Sequence, residues 1–182
     1  GKVDDHCSGA IRAIYNSSVP TVARVNGAAA GGGFGLALAC DIAVAAKSSF
    51  FVATFGPKLG IVPDLGTTWN LPHKAGRARA LGLAMLGDRI TAEQAEAWGL
   101  IWKAVEDDQL DAEVELITKK LARTSADTMT RIRSVTDAAL DNSFSDQLDL
   151  EMEHQAVLIP KNMAEGAKAF MEKREPEFSG RN

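Results

Sequence analysis

The chain has 182 residues, 46% of them hydrophobic and 24% charged, which suits a single globular domain able to bury a core without staples. Its net charge of −4 excludes an overall field that attracts nucleic acid or an anionic membrane surface, so an anionic ligand must be held by local groups. The two cysteines, Cys7 and Cys40, have no metal-ligand spacing and make no disulfide framework; both read as small packing residues, and cytoplasm is the default compartment.

The opening GKVDDHCSGA has neither an apolar core nor a cleavage site, and without an initiator Met we expect the sequence to start inside a longer protein. CSGAIRAIYNSS has helical spacing and stops before Pro20, and TVARVN is a short strand. Gly27 and the triplet Gly31, Gly32 and Gly33 precede a buried helix, FGLALACD. IAVAA and FFVAT read as strands, and TTWNLPHKAG and RARALGLAMLG as helices, the second stopped by Gly87. Thr91 and Gln94 predict a capping box for AEQAEAWG, and LIWKAVE is the last strand.

After Asp107 the pattern turns wholly helical, through DAEVELITKKLART, ADTMTRIRSVTDAAL, SDQLDLEMEHQAVLI and KNMAEGAKAFMEKR, with Ser125 and Ser145 as candidate caps. Residues 1–106 thus mix strands and helices, and residues 107–182 form a helical region of the same continuous domain. The apolar tract Ala28 to Cys40 is too short to span a bilayer, and no fixed-period repeat is present.

Glycines just before a helix let another group approach its unpaired N–H donors, which suits an oxygen that becomes anionic during reaction; a tight turn with close helix packing explains the spacing equally well. A dinucleotide fingerprint fails because Leu36 stands at its last glycine, and no Gly-Lys-Ser/Thr exists for a phosphate loop. There is no G-x-S-x-G elbow and no H-E-x-x-H pair, and His6, His73 and His154 lie far apart. His73 reads as a surface or capping residue, Asp107 and Asp108 as helix-dipole partners, and Trp98, Trp102 and Met152 as core. Lys173 and Arg174 suit either a solvated helix end or a phosphate. What survives is Asp64, a lone carboxylate in LGIVPDLGTTW whose apolar flanks would raise its pKa by desolvation, together with the glycine triplet. A carboxylate that moves a proton and donors that hold an enolate oxygen fit proton abstraction beside a carbonyl.

VNGAAAGGGFGLALACDIAVAA, then FGPKLGIVPDLGTTWNLPHKAGRARALGLAMLGDRITAEQAEAWGLIWKAVED, and finally AFMEKREPEFSG resemble the enoyl-CoA hydratase/isomerase, or crotonase, family. GIVPDLGTTWNLP and LGDRITAEQAEAWGLIW are most similar to its ring-epoxide isomerase branch of phenylacetyl-CoA breakdown. The resemblance implies an α/β crotonase-like spiral of β-β-α units with a C-terminal helical region, the N-terminal part of that fold lying outside this sequence. It implies a homotrimer or a dimer of trimers, an acyl-CoA thioester substrate from fatty-acid or phenylacetate catabolism, and no cofactor or metal beyond the coenzyme A of the substrate.

The same resemblance makes the Gly32 N–H one oxyanion donor; the second belongs to a loop in the family's N-terminal third. Ala30 and Gly31 flank the thioester site, and Phe170 and Lys173 match positions that contact coenzyme A. The two water-activating glutamates of the hydratases correspond here to Gly35 and to Gly56 or a neighbour, while Asp64 stands where several isomerases carry their acid. The expectation is a double-bond or ring-epoxide isomerase with Asp64 and Gly32 as its catalytic groups. The alternatives are another activity of the same family and a non-catalytic acyl-CoA-binding subunit. Leu65, Trp69 and Phe55 suit an aromatic acyl pocket or the core equally well.

Overall fold

Strands β1 (Val22–Val25), β3 (Ile42–Ala46) and β6 (Lys103–Val105) pair in parallel as one sheet, and β2 (Ala28–Ala30) and β4 (Phe50–Val52) pair in parallel in a second, with β5 (Ile90–Thr91) antiparallel on β4. The computed structural model describes residues 6–178; residues 1–5 and 179–182, and with them the outer ends of the expected spans and of the C-terminal match, lie outside the described residues. The register pairs Val22 with Ile42 and Ala28 with Phe50, so each turn of chain lays one strand on each sheet. Helix α1 (His6–Tyr15) leads into β1; after β1 and β2 comes α2 (Gly32–Ala39). After β3 and β4, a π-helical turn (Phe55–Leu59) leads to α3 (Thr67–Ala75) and α4 (Arg77–Leu86). This is the expected spiral of β-β-α units, and parallel neighbours require such crossovers.

The sequence reading missed β2 and β5. Three alanines carry no β-branched signal; β2 exists because its backbone completes the ladder of Phe50–Val52. β3 is buried almost end to end, as in parallel sheets covered on both faces, and so shows no alternation. Phe34 from α2 and Phe51 from β4, both fully buried, meet with ring centroids 5.3 Å apart. Small residues around them, Ala37, Ala43, Ala45 and Ala53, let helix and sheets approach closely. Gly87 ends α4 as expected, and the Thr91–Gln94 capping box opens α5 (Ala92–Ala97), with both of its hydrogen bonds at 3.1 Å.

The chain divides into two compact units: residues 1–17 with 21–116, and residues 18–20 with 117–182. The boundary falls inside α6 (Leu110–Arg123). The second unit continues with α7 (Ala126–Ala138), α8 (Phe144–Leu158), a π-helical turn (Ile159–Met163) and α9 (Ala164–Glu172). Ser125 stands at the N-cap of α7, but α8 is capped by Ser143, whose hydroxyl accepts the Asp146 N–H at 3.2 Å; Ser145 lies within the helix.

Three packing expectations are corrected. Cys7 is exposed, and Trp102 and Met152 are about two-thirds exposed, because helical or strand spacing marks an apolar side chain without saying what covers it. Trp98 does pack against the core, and burial pushes the half-buried Cys40 thiol pKa up. Among the described residues, no helix is long and apolar enough to cross a membrane.

Candidate active site

Between β2 and α2 the chain turns at Gly31, with φ +52° and ψ −118°, a backbone that L side chains rarely adopt. The Gly31 N–H donates to the Val52 carbonyl at 2.9 Å, and its own carbonyl accepts from Phe34 at 3.0 Å and Gly35 at 3.3 Å. The turn is thereby tied to β4 on one side and to the helix on the other. The amides of Gly32 and Gly33 head α2, where first-turn N–H groups have no intrahelical partner and meet the positive end of the helix dipole. Ala30, at the end of β2, is exposed beside them.

Asp64 lies in the loop between the π-helical turn and α3. The carboxylate is exposed, and so are Ile61 and Val62, at 51% and 76%; the apolar flanks therefore do not bury it, contrary to expectation. Its backbone carbonyl accepts the Thr67 N–H at 2.9 Å. The loop packs directly onto α2. Leu65 Cδ1 lies 2.8 Å from where a Cβ on Gly32 would stand, and a Cβ on Gly35 would meet the Leu65 carbonyl oxygen at 2.7 Å and Thr67 Oγ1 at 2.8 Å. Missing side chains on α2 thus bring the Asp64 loop and the Gly32 amide into one neighbourhood.

A cleft of about 580 Å³ opens beside this contact, with Ile11, Arg12, Tyr15, Leu65 and Trp69 among its lining residues. Trp69 meets Tyr15 edge-on at 5.7 Å and stacks on His73 at 4.1 Å, and His73 Nδ1 lies 2.6 Å from the Trp69 carbonyl oxygen. His73 is thus engaged locally at the surface, as its sequence setting suggested. Phe55, by contrast, belongs to the core at 5% exposure and is not a pocket wall.

Phe170 and Lys173 belong to the second unit. Phe170 is 84% exposed on α9, and Lys173 ends that helix in a left-handed conformation, φ +52°. The Arg174 guanidinium is occupied by carboxylates, Glu165 at 2.6 and 3.0 Å and Glu172 at 2.7 Å, so of the expected phosphate-facing pair Arg174 has a structural task. That bidentate contact, helped by the Glu177 N–H, pulls the Glu165 carboxyl pKa down to about 2. Among the described residues, no group of three or more His, Cys, Asp or Glu is placed to hold a metal ion.

The sequence reading overlooked Thr67. It is fully buried at the start of α3, and its hydroxyl finds no hydrogen-bond partner among the described residues. A threonine before a helix reads as a cap, and nothing in TTW signals burial.

A sequence profile of the enoyl-CoA hydratase/isomerase family matches residues 3–181. The chain is 42% identical over 172 residues to 1,2-epoxyphenylacetyl-CoA isomerase of Escherichia coli K12, covering 94% of this chain and 65% of that protein. It is 41% identical to a "Probable enoyl-CoA hydratase" of Rhodobacter capsulatus, covering 94% and 66%. The crystal structure of an enoyl-CoA hydratase from Polaromonas sp. JS666 superposes with a TM-score of 0.87 at 34% identity, over 93% of this chain and 66% of that one. The chain therefore spans about two-thirds of the length of the proteins it matches, and it belongs to the enoyl-CoA hydratase/isomerase family.

Proposed function

We propose that the protein is an acyl-CoA isomerase in which Asp64 carries one proton along the acyl chain while the Gly32 N–H steadies the thioester oxygen. With a 3-enoyl-CoA, the Asp64 carboxylate takes a proton from C2. The C–H electrons pass into the carbonyl, and the enolate oxygen rests on the Gly32 amide at the helix start. The protonated acid returns its proton at C4 as the carbonyl re-forms, leaving the double bond between C2 and C3. Nothing is added or lost, and coenzyme A enters only as part of the substrate.

The observation that carries this reading is the packing of the Asp64 loop on the Gly32 turn, with glycine at both Gly35 and Gly56. One carboxylate then serves the site, and one suffices to move a proton without water. Ala30 and Gly31 border the thioester in this reading, and Leu65 and Trp69 line the acyl cleft, whose aromatic wall of Tyr15 and Trp69 suits a ring-bearing acyl group. The name of the Escherichia coli relative points to the same class of substrate, with ring-epoxide isomerisation as the corresponding reaction. Phe170 and Lys173 are assigned to coenzyme A. We assign self-association, as trimers or paired trimers, to the second unit, where Phe144, Phe170 and Met171 are more than 80% exposed.

Conversion of a 3-enoyl-CoA to the 2-enoyl-CoA in deuterated water tests the mechanism. Asp64→Asn is expected to lower the rate about 10²–10⁴-fold with the circular dichroism unchanged. Full turnover by that variant would sink the proposal. The name of the Rhodobacter capsulatus relative favours a hydratase instead, and rapid hydration of but-2-enoyl-CoA by the wild-type protein would establish that reading.

A further inference from the structure

Two local costs meet at one spot on α2. Thr67 keeps a hydroxyl fully buried without a hydrogen bond to any described residue, and Leu65 holds φ at +52°, a conformation unfavourable for a residue with a side chain. Neither is needed to turn the chain, since Gly66 already supplies a positive φ of 75°. Both residues press on Gly35. A Cβ there would stand 2.7 Å from the Leu65 carbonyl oxygen, 2.8 Å from Thr67 Oγ1 and 3.0 Å from Leu65 Cβ. The first of these contacts is backbone, so no change of rotamer opens the space. Gly56 is also tightly enclosed: a Cβ on it would lie 3.0 Å from the Ala84 carbonyl oxygen.

We propose that Leu65 and Thr67 are specificity-determining residues: by filling the space beside Gly35 they shut α2 to a second acid near the Asp64 loop. The inference rests on the isomerase reading above and explains how that outcome is enforced. Adding water across C2=C3 puts the hydroxyl on C3 and a proton on C2. It is favoured where one group holds and deprotonates the water while another delivers a proton to carbon. With a single carboxylate beside the helix start, the proton is carried along the acyl chain and no second acid is there to hold the water for attack on C3. The lock acts through volume. Thr67 contributes its bulk, and its hydroxyl is the cost of placing that bulk in an apolar niche.

The test compares wild type, Gly35→Glu, and Gly35→Glu combined with Leu65→Gly and Thr67→Ala. Each is assayed for isomerisation of a 3-enoyl-CoA, hydration of but-2-enoyl-CoA, and thermal unfolding. Gly35→Glu alone is expected to lose roughly 5–10 °C in Tm, as overpacked sites do, and to add no water. The triple variant removes Thr67 Oγ1 and Leu65 Cβ and, with glycine at 65, frees the backbone there to swing its carbonyl aside; it is expected to regain part of that loss and to shift the product ratio at least tenfold toward 3-hydroxyacyl-CoA. A Gly35→Glu protein with wild-type Tm overturns the lock, as does a triple variant no more stable than the single one. A folded triple variant that adds no water overturns the role in specificity. A wild-type protein inert toward 3-enoyl-CoA is a separate result: it overturns the isomerase reading, while the Tm comparison and hydration by the triple variant still decide the lock.

Discussion

In the first unit Phe34, Phe51, Val44 and Leu71 are at most 1% exposed and are packed among alanines; in the second, α7 and α8 contain no buried residue, and Phe144, Met152, Phe170 and Met171 are 65–84% exposed. The first unit buries a continuous core, although Val62, Met85, Leu86 and Trp102 stay 66–76% exposed, and the candidate site lies on its surface at a helix start fixed by that core. Ion pairs occur in both units: Arg24 with Asp111 at 2.6 Å and Lys103 with Glu113 at 2.9 Å in the first, and Asp127 with Arg131 at 2.9 Å and Lys161 at 3.5 Å, and Glu165 with Arg174, in the second. Partly exposed pairs of this kind contribute little each, so α7 and α8 gain little from them to offset their uncovered apolar side chains. The contrast teaches that α2, which carries the candidate site, is held by a core, whereas α7 and α8 have no buried residue of their own. It is also why self-association is assigned to the second unit.

Substitutions can break that contrast. Phe34→Ala empties a fully buried site and is expected to cost about 3–5 kcal/mol in chemical denaturation. Equal losses from Phe34→Ala and Phe144→Ala would show that the second unit is as tightly packed as the first. Next in size, Thr91→Ala removes the hydroxyl that accepts the Gln94 N–H in the α5 capping box, while the Thr91 N–H can still donate to the Gln94 side chain, and should cost about 1 kcal/mol. Thr67→Val keeps the volume beside Gly35 and removes the unpaired hydroxyl, so stability should rise by about 1 kcal/mol. A fall would mean that the hydroxyl has a partner. Phe144→Ala, at a residue 81% exposed, should change monomer stability by no more than about 0.5 kcal/mol. Its effect belongs in sedimentation velocity, as weakened self-association.

Most of the first unit was legible in the sequence because its signals are local. Gly87 stops α4 and Thr91 with Gln94 caps α5, each through contacts within a few residues. The glycine triplet and Asp64 stood out because unusual residue types mark them. Their meeting could not be read, since it depends on Leu65 lying over Gly32 and Gly35 across the intervening strands. β2 stayed hidden because Ala28–Ala30 is a strand only by virtue of its partner. The exposure of Asp64 was misjudged for a related reason: Ile61 and Val62 flank it in sequence but are themselves exposed. In the second unit periodicity gave the helices and nothing more, so Met152 read as core although α8 has no buried residue. Ser145 reads as a cap from sequence, but in the structure the Asp146 amide donates to Ser143.

Acid offers the gentlest probe of the same contrast. Glu165 titrates at about 2 because Arg174 grips its charged form, well below the usual carboxylate value, and Asp127 is lowered in the same direction chiefly by Arg131. A depressed carboxyl contributes stability above its ordinary pKa and loses it as pH falls toward the folded value. The second unit should therefore loosen progressively between about pH 4.5 and pH 2 as these pairs are protonated. In the first unit Asp107 is lowered too, through the Ser48 side chain and then its backbone, but the burial of Phe34, Phe51 and Leu71 does not titrate. Amide exchange followed down this range should accelerate first in α7 and α9 and only later in α2 and β3. Glu165→Gln should remove part of the pH dependence in α9 and leave α2 untouched. Simultaneous loss of protection in both units would mean that they unfold as one cooperative body, and the contrast drawn from their packing would have no counterpart in their stability.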